Sequence, residues 1–327
     1  MAMSNHFAKA LKLRDGFKIV NKDILQWFPG HMDKGMKQMQ QRLKMVDCII
    51  EVHDSRIPFS GRNSNFQSTI CAIRPHILVL NKKDLTDTSQ NPKVIAELKK
   101  QKVDHVVFTN CKDQSCKGVT KLFPLMEDLI LKSDRYNRDA IHEHVVMIIG
   151  VPNVGKSSLI NALRNRYLSK GNASPVGGVA GITRSVLHRI KISEKPPVFM
   201  LDTPGILTPS VENLEMGLKL ALCSCLPDHL VGPDVIADYL LYWLNRYEKY
   251  QYVELMGLKE PSDDITEVLN VGAVKLNKYK NLWQPHGGKK RMPDVLEAAN
   301  TMIRAFRKGE LGKLFLDRDC IESAKSV

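Results

Sequence analysis

A chain of 327 residues, 43% hydrophobic and 25% charged, has the composition of a folded soluble protein and is long enough for two domains with buried cores. No run approaches the roughly 18 consecutive apolar residues that span a bilayer, so a transmembrane segment is excluded. Lys and Arg outnumber Asp and Glu 48 to 35, a net +13 carried wholly by the first 214 residues. Such an excess directs attention to a polyanionic partner, RNA first, with a merely solvated basic face as the alternative.

In chain order, residues 1–26 carry Lys9, Lys12, Arg14, Lys18 and Lys22 with Phe7, Leu11, Phe17 and Ile19 between them. That pattern suits a mitochondrial presequence or a basic arm of the mature protein equally. Short β-branched runs follow at 46–52, 76–80, 103–108, 144–149 and 198–201, each closed by a Gly-, Pro-, Asn- or Asp-rich turn. Helical periodicity separates them at 35–44, 92–101, 119–131 and 156–166. Alternating strand and helix predicts an α/β doubly wound sheet over 27–210. The Gly-rich, basic stretch 171–195 reads as a mobile loop. Beyond it, helices are expected at 214–226, 233–247, 263–276 and 294–308, forming an all-helical domain over 211–327 with Trp243 and its neighbouring tyrosines as core. Seven cysteines without a CxxC pair read as reduced thiols in a reducing compartment, and no secretory signal is visible.

Five motifs carry chemistry. Gly150-Val-Pro-Asn153-Val154-Gly155-Lys156-Ser157-Ser158 fits GxxxxGK[ST] between a strand and a helix. Backbone N–H groups and the helix N-terminus would cradle phosphates, Lys156 would neutralise β/γ charge, and Ser157 would give a hydroxyl to Mg²⁺. Asp202-Thr-Pro-Gly205 ends the strand at 198–201; Asp202 is placed to hold Mg²⁺ through water, and the Gly205 N–H to meet a γ-phosphate. Asn81-Lys82-Lys83-Asp84 ends the strand at 76–80. Its carboxylate can accept from N1–H and N2 of guanine, a donor pair that adenine lacks. Lys82 would lie along the base and Asn81 would tie this loop to the phosphate loop. Thr109-Asn110-Cys111 closes the next strand, where a backbone that supports the base is expected, with Asn110 in place of the usual Ala. Thr183, in the Gly-rich loop, is the candidate switch threonine for Mg²⁺ and γ-phosphate. The base-reading motifs precede the phosphate motifs, the reverse of the ordinary order. Surface-adjacent termini make such a permutation tolerable.

The permuted order, together with Trp27-Phe-Pro-Gly-His31-Met32, Asp54-Ser-Arg56-Ile-Pro58 and the 150–158 loop, resembles the YlqF/RbgA-type circularly permuted GTPases from Trp27 to about Asp317. The resemblance implies GTP hydrolysis in assembly of the large ribosomal subunit, through rRNA and ribosomal proteins. For the family's mitochondrial branch it implies the matrix, peripherally on the inner membrane. It further suggests His31 as the group that orients the attacking water, since Ile206 stands after Gly205 where many GTPases have Gln; the alternative is that His31 caps the following helix or sits exposed. It also gives Asn153 the place of a K⁺ ligand, with a bond to a loop backbone group as the alternative. Lys275, Lys278, Lys280, Lys289, Lys290 and Arg291, with Arg304, Arg307 and Lys308 on one helix, are candidate RNA phosphate contacts, or else a solvated face. Two other readings stand beside the GTPase: a nucleotide-gated RNA-binding module with little turnover, and a cytosolic or nucleolar pre-ribosome factor, which lacks here the long basic tails usual for it.

Overall fold

The computed structural model describes residues 13, 14, 16, 17, 39–62, 71, 73–135, 141–168, 188–203, 205, 214–283 and 288–322. His31, Thr183, Ile206 and the 27–32 motif lie outside the described residues. The chain divides into two compact units, one formed by 25–226 with 315–327, the other by 1–24 with 227–314.

The first unit is built on a six-stranded sheet. Its strands are β1 (Cys48–Asp54), β2 (His76–Asn81), β3 (Val106–Phe108), β4 (His144–Ile149), β5 (His188–Glu194) and β6 (Pro197–Asp202). The order across the sheet is β3-β2-β1-β4-β6-β5. All neighbours run parallel except edge strand β5, which is antiparallel to β6. Every residue of β1 and β4 is buried; β4 reads as an unbroken apolar run from Val145 to Ile149, whereas β1 buries Glu51, His53 and Asp54 among its apolar residues. Helices α1 (Asn91–Lys100), α2 (Lys117–Lys132) and α3 (Lys156–Leu168) form the crossovers. Strand β5 falls within the stretch expected to be loop. Its Lys and Arg conceal an edge-strand alternation in which Ile190 and Ile192 are buried.

The chain builds outward from β1 through β2 to β3, then returns to β4 on the other side of β1 and continues to β6. The crevice at the carboxyl ends of β1 and β4 is therefore the topological switch point, where open α/β sheets place ligands.

Helix α4 (Leu214–Leu222), expected to open the helical domain, belongs with the sheet. It buries Leu218, Leu220, Ala221 and Leu222. Its buried Lys219 pairs with Asp317 at 3.4 Å and Asp319 at 2.7 Å. The chain end returns with it: Phe315 joins Leu78, Leu80, Val94, Leu98 and Val103 in one apolar cluster. Asp317 accepts from the N–H groups of Phe59 and Ser60 at 2.8 Å. Expected boundaries at 211 and 327 thus give way to 227 and 314, because these flanking segments bury their side chains on the sheet.

The second unit contains the short α5 (Asp228–Val231), then α6 (Pro233–Arg246), α7 (Gln251–Met256), α8 (Ile265–Lys275) and α9 (Val295–Lys308). Asp264 and Asp294 cap α8 and α9 by accepting from the N–H groups of Thr266 and Glu297. Gly309, at φ +88°, ends α9. Trp243 lies in a buried aromatic group with Tyr239 and Tyr242. The unit is not all helical. Strands β7 (Tyr279–Trp283) and β8 (Lys289–Pro293) form an antiparallel hairpin, where alternation at period two replaces the helical period. From the N-terminal stretch, Arg14 pairs with Asp238 and Asp263, and Phe17 packs edge-on against Tyr239. A final α10 (Arg318–Glu322) lies in the sheet unit.

Candidate nucleotide-binding site

The loop after β4 needs left-handed backbone at three points. Gly150 has φ +143°, Asn153 φ +58° and Gly155 φ +103°. At Gly155 a Cβ would stand 2.2 Å from Nδ2 of Asn81, so only glycine lets the two loops close on each other. Asn81 uses that proximity: its amide donates to the Val154 carbonyl at 2.8 Å. Its Oδ1 accepts from the Thr109 hydroxyl at 3.1 Å and the Cys111 N–H at 3.2 Å. One asparagine therefore joins the ends of β2, β3 and β4. The Lys83 N–H adds a bond to the Thr109 carbonyl at 3.0 Å.

Asn110 has a local reason to replace Ala. Its Oδ1 accepts from the Lys112 N–H at 3.1 Å, an Asx turn that holds the base-side loop. That loop and the first turns of α3 enclose a cavity of about 400 Å³, lined by Cys111, Lys112, Asp113, Gln114, Ser158 and Asn161 among others. Burial pushes the Cys111 thiol up to about 12, so it is a neutral wall. Asp84 lies within a single helical turn, Lys83–Leu85, just after Lys82. Its Oδ1 is buried and has no hydrogen-bond partner among the described residues.

Lys156 opens α3 and is buried. Its ammonium donates to the carbonyls of Gly150 at 3.1 Å and Val151 at 3.0 Å. Burial lowers its pKa to about 8, against the attraction of Asp202. The Ser157 hydroxyl donates to Asp202 Oδ2 at 3.2 Å, which brings the two expected Mg²⁺ residues to one point. A hydroxyl converging with a buried carboxylate is a hard-oxygen donor pair and fits Mg²⁺. Gly205 approaches the phosphate loop so closely that a Cβ would meet Pro152 backbone at 2.7 Å. The Asn153 side-chain amide donates to the Ser224 carbonyl at 2.9 Å, the backbone bond that the residue's type allowed beside a K⁺ role.

Sequence reasoning did not find the support beneath Lys82. Lys82 sits at φ +60° with its ammonium 3.0 Å from Asp54 Oδ2, so it is anchored below the loop. Asp54, at the end of β1, is fully buried and is gripped by both Nε and NH2 of Arg56 at 2.9 and 2.8 Å. Burial opposes the Asp54 charge, but Arg56 and Lys82 outweigh it and hold the carboxyl well below the usual range. The signal was the Asp-x-Arg step directly after an apolar strand.

A family model described as "50S ribosome-binding GTPase" matches residues 145–270. "Mitochondrial GTPase 1" of Aedes aegypti is 58% identical over 97% of this chain and 99% of its own length. "Mitochondrial ribosome-associated GTPase 1" of Bos taurus is 50% identical over 94% of this chain and 93% of its own. "Ribosome biogenesis GTPase A" of Bacillus cereus is 31% identical over 89% and 93%. The crystal structure of GNP-bound YlqF from T. maritima covers 85% of this chain and 95% of its own, at a TM-score of 0.52 and 23% identity, and so shares the fold. With the permuted motifs assembled at one crevice and relatives of this identity along nearly the whole length, the chain belongs to the YlqF/RbgA-type circularly permuted GTPases, in the group of mitochondrial ribosome-associated GTPases.

Proposed function

We propose that this chain binds GTP with Mg²⁺ at the β1/β4 crevice, hydrolyses it, and acts in the matrix in assembly of the mitochondrial large ribosomal subunit, peripherally at the inner membrane. The observation that carries the nucleotide assignment is Asp84: a buried carboxylate oxygen with no partner among the described residues is costly unless a ligand satisfies it. N1–H and N2 of guanine supply that pair of donors. The ribosomal assignment rests on the printed names of the relatives, two of which are called mitochondrial and one a ribosome biogenesis GTPase. The described part of the chain has no helix long and apolar enough to cross a membrane, which suits a peripheral association.

In this reading Lys156 leaves the Gly150 and Val151 carbonyls for the β/γ-phosphates, and the first turn of α3 directs its N–H groups at them. Ser157 and Asp202, with Thr183 from the Gly-rich loop, hold Mg²⁺, which neutralises charge on the β- and γ-phosphates. Ile206 offers no polar atom to the attacking water, so His31 takes that role, and Asn153 lends an oxygen to K⁺. The helical unit contributes rRNA contacts, and Leu13–Phe17 stays in the mature protein, because Arg14 and Phe17 have partners there.

The test is single-turnover GTP hydrolysis in K⁺ buffer, with and without mitochondrial large subunits. Subunits should accelerate the reaction, and His31→Ala should slow the accelerated rate by roughly a hundredfold with nucleotide affinity unchanged. Equal rates with and without subunits would leave a nucleotide-gated binding module as the better reading.

A further inference from the structure

The β7–β8 hairpin lies beyond residue 270, where the matched family segment ends. Between Lys275 and Pro293 the sequence has six Lys or Arg and no Asp or Glu. Register sets Lys280 opposite Met292, Asn281 opposite Arg291, Leu282 opposite Lys290 and Trp283 opposite Lys289. Side chains alternate between faces, so Tyr279, Asn281, Trp283, Lys289 and Arg291 share one face. On it Lys289 stands 5.0 Å from the Trp283 ring centre and the Arg291 guanidinium 4.0 Å from that of Tyr279. Trp283 is 74% exposed, an unusual state for so large an apolar ring.

Arg304 and Arg307, also expected to meet phosphate, differ. Arg304 is paired with Glu297 at 2.7 Å, and Arg307 grips both oxygens of Asp228. Local carboxylates already neutralise them. Lys280, Lys289, Lys290 and Arg291 have no carboxylate within ion-pair distance among the described residues, and their charge is available to a polyanion.

We propose that the hairpin face of Tyr279, Trp283, Lys289 and Arg291 binds single-stranded RNA, with an unpaired base stacked on Trp283 and adjacent phosphates met by Lys289 and Arg291. The combination matches that chemistry: an aromatic plane takes any base, and cations beside it track the backbone. A bilayer fits less well. Trp283 lies directly opposite Lys289 on the same face, so inserting the ring would carry that ammonium group toward hydrocarbon. The inference rests on the ribosomal reading for its RNA, and it adds a defined site and a strand state.

The full chain would be titrated, by fluorescence anisotropy, against a labelled oligouridylate, a blunt RNA duplex of equal length, and vesicles of phosphatidylcholine with phosphatidylglycerol. Trp283→Ala should weaken oligouridylate binding roughly tenfold and leave the duplex nearly unchanged. Lys289→Gln with Arg291→Gln should weaken both RNAs and lower the single-strand salt slope by about 1.4. Labelled GDP affinity, read in parallel, should be unaltered in every variant. Oligouridylate affinity equal to wild type in Trp283→Ala, or vesicle binding that depends on Trp283 while RNA binding does not, overturns the proposal. If that happens while large subunits still accelerate hydrolysis, the hairpin assignment alone fails. If Trp283 governs RNA affinity but subunits never accelerate hydrolysis, the ribosomal reading alone fails.

Discussion

The two units treat charge in opposite ways. In the sheet unit, buried polar groups crowd the carboxyl ends of the strands: Asp54, Asn81, Thr109, Lys156, Asp202 and Thr203 are all buried there. In the helical unit Asn245 is the one buried polar residue among those described. It is fully engaged, donating to the Ser262 carbonyl and accepting from the Tyr252 hydroxyl at 2.6 Å. Cations of the helical unit stay outside, on the hairpin above all. A site that must discriminate one base and hold four charged phosphate oxygens needs fixed dipoles in a low-dielectric crevice. A surface that follows a flexible polyanion needs only accessible charge and a ring to stack on. Buried networks are costly to break, and exposed ones are cheap to alter, so the two units should respond to mutation on different scales.

The largest effect is expected in the buried network. Asp54→Ala leaves Arg56 buried without its bidentate partner and frees Lys82. Loss of about 3–5 kcal/mol should appear in denaturant unfolding. Because the fold holds the Asp54 carboxyl low, its contribution is present above the ordinary carboxylate range and is lost as pH falls below it. The gap between wild type and variant should therefore narrow on acidification. A variant as stable as wild type near neutral pH would erase the contrast between the units.

Next comes Asp84→Asn, which turns an acceptor into a mixed group and sets an amide against the guanine donors. Affinity for GTP should fall roughly a hundredfold, and XTP, with an oxygen at C2, should bind better than GTP. Retained guanine preference would place base reading elsewhere.

Lys156 gives a smaller effect with a defined direction. Its pKa of about 8 means that the free protein holds the ammonium below that pH and loses it above. Phosphates bind the ammonium, so affinity for labelled GDP should fall about tenfold from pH ~7 to ~9. Stability of the free protein should move the other way. The unfolded lysine still binds its proton between about 8 and 10.5, so folding gains across that window. Affinity that is flat over this range would contradict the buried position of Lys156.

The smallest effect belongs to the helical unit. Arg14 is about one-third exposed in its pairs with Asp238 and Asp263, so Arg14→Ala should cost roughly 1 kcal/mol or less and should shrink further in high salt. A chain beginning at residue 13 should melt like the full chain, and one beginning at residue 18 should melt lower.

Legibility followed the same division. The strands β2, β4 and β6 were visible because burial on both faces makes continuous apolar runs, and β4 needed no adjustment at either end. Strand β5 and the hairpin were not visible, because exposed strands rich in Lys and Arg look like loops when read by composition. Trp283 was not singled out for a similar reason: nothing in its neighbours distinguishes a ring on a strand facing solvent from one facing a core. Likewise Arg304 and Arg307 looked available, since the acid that pairs with Arg307 lies 79 residues away at Asp228.

By itself the sequence determined which chemistry this protein carries. Gly150–Ser157, Asp202–Gly205 and Asn81–Asp84 are local patterns whose residue types and spacing follow from what phosphate, Mg²⁺ and guanine require. Their permuted order was legible as well, because order is a property of the chain. Tertiary structure decided how those patterns become one site: Asn81 joins three strand ends, Asp54 and Arg56 anchor Lys82, and the segments 214–226 and 315–322 pack on the sheet rather than with the helices around them. The reason is range. A motif encodes contacts within a few residues, whereas a buried ion pair or a returning segment depends on which distant side chain the fold brings to it.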